Sequence, residues 1–97
     1  MSKTARSLIA LRLAEEQACA GYLTARKAML RLAAHLASMT QMVRERPTRV
    51  DYRAALNDVL NSYRAASNRT RLAYSRWQRA QLRADAYWTV NAGAVAA

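Results

Sequence analysis

The chain has no Phe, one Cys, one Pro, two Gly and one His among its 97 residues, and only six acidic side chains against sixteen Lys and Arg. Each shortage removes a class of function. A lone Cys19 forms no intramolecular disulfide, so the expected setting is a reducing cytoplasm or the inside of a larger particle. One His and one Cys cannot make a metal site within one chain. Cys19 and His35 also lie sixteen residues apart, roughly 24 Å along a helix, so they make no nucleophile–base pair. With Gly21 and Gly93 as the only glycines there is no glycine-rich phosphate loop. Glu15 and Glu16 are neighbours that point to different sides of a helix, so they are not a carboxylate pair. The expectation is a non-enzymatic protein with no cofactor and no metal.

Long apolar runs are also missing. The longest uncharged stretches, Leu32–Val43 and Ala86–Ala97, have twelve residues each, where a membrane span needs about twenty. Lys3 and Arg6 precede Leu8-Ile9-Ala10-Leu11, but Arg12 breaks that run and Glu15-Glu16 follow, which is not the pattern of a signal peptide.

What is present is helix-forming sequence. Hydrophobic residues make up 53%, largely Ala and Leu, which are strong helix formers and argue against both disorder and strands. Leu8, Leu11, Glu15, Ala18, Tyr22, Ala25, Met29, Leu32, Leu36, Met39 and Val43 recur at steps of three and four. Tyr52, Leu56, Val59, Tyr63, Ala66, Thr70, Ala73, Trp77, Ala80, Ala84 and Tyr87 do the same. Two sustained heptad series predict two helices with a coiled-coil seam.

Pro47 lacks an amide and disfavours helix at Arg46, which separates the two series. Residues 1–6 read as frayed, with Thr4 or Ser7 as N-cap, and helix one spans about 7–44. The turn covers about 45–48, with Thr48 as N-cap of a capping box that Asp51 completes. Helix two spans about 49–90, stops at Asn91 and Gly93, and leaves a short tail over 91–97. The predicted fold is therefore all-α: one antiparallel two-helix hairpin domain over 1–97, packing into a larger helical assembly. Residue i should face residue 95 − i, so that Ala18 meets Trp77 and Tyr22 meets Ala73. Gly21 suggests close approach by a neighbouring side chain. Glu15 lies in the seam opposite Ala80, where Arg79 or Arg83 would pair with it.

Two surfaces are left uncovered. Ile9, Leu13, Leu23 and Leu30 on helix one, with Leu60, Tyr74 and Trp88 on helix two, exceed what one seam can cover. A lone soluble chain rarely exposes that much apolar surface, so these residues are expected to contact copies of the chain or a larger protein. The second surface is basic. The formal net charge is +10, which favours anionic partners. Arg64, Arg69, Arg71, Arg76, Arg79 and Arg83 fall in a stretch of helix two without a carboxylate. They are expected to form a ridge for an acidic protein surface or for nucleic-acid phosphates.

Three functions follow as expectations. The first is a structural, assembly or adaptor protein that oligomerises or docks through apolar helix faces and presents arginine to an acidic partner. The second is a sequence-independent nucleic-acid binder, since no helix-turn-helix spacing exists to read bases. The third is a small helical inhibitor of an acidic target. The Arg and Ala bias also suits a GC-rich bacterial or phage genome.

Overall fold

A computed structural model describes residues 2–96, with side chains over 2–93. It contains two helices, α1 (Lys3–Glu45) and α2 (Val50–Ala96), and no strand among the described residues. They run antiparallel and pack against each other, the all-α helical hairpin that the two heptad series predict.

The turn is set by Pro47, although not by the expected capping box. The Arg46 amide donates to the Met42 carbonyl at 3.1 Å, the last bond of α1. The Arg49 amide then donates to the Arg46 carbonyl at 3.1 Å, closing a β-turn with Pro47 at its second position. The Arg53 amide reaches the Arg49 carbonyl at 3.3 Å, which makes Arg49 the N-cap residue in place of Thr48. Asp51 does not reach back to Thr48. Its carboxylate accepts the Arg49 guanidinium instead, at 2.9 Å from Nε and 2.6 Å from Nη2. The Arg49 guanidinium also stacks 4.1 Å from the centre of the Tyr52 ring.

The helix ends differ from the sequence reading for local reasons. Ser2, not Thr4 or Ser7, caps α1, because its Oγ accepts the Ala5 amide at 3.0 Å. At the other end α2 runs through Asn91 and Gly93 to Ala96, and no glycine takes a positive φ. The Asn91 side-chain amide donates to the Tyr87 carbonyl at 3.0 Å, which ties that residue into the helix it was expected to end. Ala92, Ala94 and Ala96 are the best helix formers available beyond it. Of the expected tail, Ala97 lies outside the described residues.

Packing divides the chain into two compact units, one joining Met1–Tyr22 to Leu72–Ala97 and the other comprising Leu23–Arg71. In the first, the seam centres on three aromatic rings. Tyr22 stacks on Trp77 with centroids 5.5 Å apart and planes at 23°, and it meets Tyr74 at 5.3 Å. Tyr74 and Trp77 meet edge to face at 6.0 Å. Trp77 therefore sits against Tyr22, one helical turn along from the Ala18 layer expected to hold it. The Tyr87 hydroxyl donates to the Thr4 carbonyl at 3.5 Å, again within a turn of the expected pairing. Ala84 is the most buried residue of this unit, at 0% exposure.

In the unit formed by Leu23–Arg71, Met39, Ala66 and Thr70 are buried. The Thr70 hydroxyl sits in the seam and donates to the Ala66 carbonyl at 2.8 Å, which satisfies its hydrogen-bonding need without a partner across the seam. In each unit the most buried residue is thus an alanine, Ala84 in one and Ala66 in the other. No large side chain is fully buried among the described residues.

Candidate docking surfaces

Glu15 is the polar member of the seam, and its partner is on its own helix. Arg12 Nη1 lies 2.8 Å from Glu15 Oε2 and 2.9 Å from Asp85 Oδ1. Arg12 therefore bridges Glu15 to α2, where Arg79 and Arg83 were expected to do so. The bond to Glu15, and then the bond to Asp85, raise the Arg12 pKa. Arg12, Glu15, Glu16, Cys19 and Trp77 line a shallow cleft of about 370 Å³ beside this bridge. Arg12 and Glu15 already hold each other there, and no His/Cys/Asp/Glu cluster suited to a metal ion occurs among the described residues.

The six arginines proposed as a ridge are all exposed, and among the described residues none makes an ion pair. Arg71 donates to the Asn68 side-chain oxygen at 2.6 Å, a local bond that leaves its charge unneutralised. The heptad positions split them. In Leu23–Arg71, Arg64 and Arg71 lie on one flank of the seam and Arg69 on the other. In the unit that contains Leu72–Ala97, Arg76 and Arg83 share a flank and Arg79 lies further out. The charge is unevenly shared. Residues 23–71 carry ten basic and three acidic side chains, a net of seven positive charges. The remaining residues carry six basic and three acidic, a net of three.

The apolar candidates are placed as follows. Ile9 and Leu13 are about half exposed and line a shallow concavity with Leu8, Arg12 and Glu16. Leu23 and Leu30 are 53% and 51% exposed. Leu60 is half-buried against the flank of the seam, so it is only partly free. Tyr74 and Trp88 are each 42% exposed, but Tyr74 is also committed to the ring cluster with Tyr22 and Trp77. Heptad counting missed Leu72, Leu82, Val50 and Val90, all exposed. They fall on no seven-residue line with the others, so periodicity had no means to find them.

No described helix is long and apolar enough to cross a membrane. Comparison with known proteins yields no match, whether to a family model, a curated relative or a solved structure.

Proposed function

We propose that this chain is a non-enzymatic assembly or adaptor protein, a helical hairpin that docks through apolar faces on copies of itself or on a larger partner. Its arginines would meet carboxylates or other anions on that partner. The observation that carries this reading is the imbalance between core and surface. Met39, Ala66 and Ala84 are the buried apolar residues among those described, while Ile9, Leu13, Leu23 and Leu30 each leave about half their area in water. Covering apolar surface is worth about 25 cal/mol per Å², so such exposed leucines supply driving force for association.

Sedimentation velocity between about 5 and 500 µM tests self-association, and pull-down from the native host followed by titration of the purified partner tests docking. The reading expects a concentration-dependent rise in mass or a direct partner, with either one weakened by the Leu23→Ser/Leu30→Ser double variant. A chain that stays monomeric and binds nothing that this variant fails to bind would reject it. The exposed, unpaired arginines also support a second reading, sequence-independent nucleic-acid binding. A gel shift at two salt concentrations separates them, since phosphate-driven affinity falls steeply with salt.

A further inference from the structure

Resting on that docking reading, the two flanks of the seam in the Leu23–Arg71 unit differ in a way that specifies a partner. On one flank Ala33 and Thr40 of α1 and Leu60 and Ser67 of α2 are half-buried, with exposed Arg26 and Arg53 ending the same two heptad lines. On the other, Ala28, His35, Met42, Ser62 and Arg69 are exposed and Ala55 alone is half-buried. The first flank thus carries a strip of small or apolar, half-buried side chains between two exposed edges, which forms the floor of a candidate groove. We propose that this groove accepts an amphipathic helix from another protein, apolar along its inner stripe and acidic along one edge, to make a local three-helix bundle.

The rims of the groove define the chemistry. Leu23 and Leu30 lie on the α1 rim, and Arg64 and Arg71 on the α2 rim. Each pair is separated by seven residues, roughly 10.5 Å along its helix. In the 95 − i register Leu30 falls within one residue of the level of Arg64, and Leu23 within one residue of that of Arg71. At two levels one heptad apart, the groove therefore offers a half-exposed leucine on one side and an unpaired guanidinium on the other. Arg26, exposed at one end of the line that holds Ala33 and Thr40, adds a third positive charge. A helix that places an apolar residue and a carboxylate at each heptad matches both rims, the carboxylate taking a forked bond from arginine.

Other occupants fit less well. A second copy of this unit brings ten basic side chains and three acidic ones. Of those three, Asp51 is already held by Arg49 and Glu45 accepts the Gln41 side-chain amide at 3.1 Å, which leaves Asp58 as one carboxylate for several arginines. Nucleic acid would leave the leucines unused, and the flank carries no aromatic ring for a base to stack on.

The probe is a fluorescein-labelled synthetic helix of about three heptads, with a leucine stripe and glutamate along one edge. A lysine-edged counterpart and a scramble of the same composition serve as comparisons. Anisotropy is read against the intact chain at about 50 and 150 mM salt, with circular dichroism confirming that each variant is folded. The glutamate-edged helix should bind at least about ten-fold tighter than its scramble. Arg64→Glu/Arg71→Glu should weaken it about ten-fold or more and make the lysine-edged helix the tighter ligand. Leu23→Ser/Leu30→Ser should also weaken binding, and Arg69→Glu, on the opposite flank, should change it less than about two-fold. Equal binding of the scramble, an equal cost from Arg69→Glu, or displacement of the peptide by anionic vesicles or duplex DNA would overturn the proposal. If sedimentation shows self-association while the peptide fails to bind, this groove assignment falls and the docking reading stands. Failure of both experiments removes the two together.

Discussion

Replacing Gly21 with alanine should stabilise the protein, and the size of the gain can be worked from its surroundings. Gly21 lies in the interior of α1 with helical φ, and a Cβ built there meets no heavy atom within 4 Å. No steric cost opposes the change, so the intrinsic preference decides its sign. Glycine is about 0.8–1.0 kcal/mol less favourable than alanine inside a helix, mainly because the unfolded chain loses more freedom on folding. In a chain of this size each kcal/mol shifts the melting temperature by about 4–8 °C. Gly21→Ala should therefore raise the midpoint of a thermal melt, followed by circular dichroism at low micromolar concentration, by several degrees. The exposed neighbour Ala20 provides the mirror test. Ala20→Gly should lower the midpoint by a similar amount, and the double variant should return it near wild type. A fall in the midpoint for Gly21→Ala would mean that a neighbour occupies this site, and would refute the reasoning.

Three further outcomes follow from the contacts described. The Arg49 guanidinium and, secondarily, the first-turn amides hold the Asp51 carboxyl down at about 2, below an ordinary aspartate near 3.9. That contact contributes stability above the unfolded value, and it is lost as pH falls from about 4 towards 2. Acid titration of unfolding should show a component in that window that Asp51→Asn removes. In the ring cluster, a double-mutant cycle with Tyr22→Leu and Trp77→Leu should give a coupling of about 0.5–1.5 kcal/mol, and additive effects would deny the stacking. Ala84→Leu should cost about 1–3 kcal/mol by overpacking at a site with no exposure, and an unchanged urea midpoint would show that the seam can yield there.

How far the sequence reveals this molecule depends on whether a feature is periodic, local or a matter of what stands opposite. The seam was legible, because a residue repeated at three- and four-residue steps can face only one direction: Met39, Ala66, Thr70 and Ala84, the buried residues, all belong to the two series. The stop at Pro47 was equally legible, since a missing amide acts wherever it occurs. Caps were harder. Thr48 has the right chemistry, but the turn that Pro47 sets places Arg49 one step later at the cap, and two torsion angles decide between them. Gly21 and Glu15 were misread for a third reason. Gly21 suggests a closely approaching side chain and Glu15 a partner across the seam, whereas a Cβ at Gly21 meets nothing within 4 Å, and Glu15 is satisfied by Arg12 three residues before it. The arginine candidates were found by type, but their division between flanks appears only when the heptad positions are compared with burial along the helices.

The small residues buried between the helices have an evolutionary consequence. Ala66 and Ala84, at 1% and 0% exposure, leave no room for a larger group, while most other positions on both helices border water. Folding by itself would then permit drift over most of the surface and forbid it at a handful of sites. In a saturation library scored first for folding and then for association, depletion confined to the second score would outline whatever the molecule clasps.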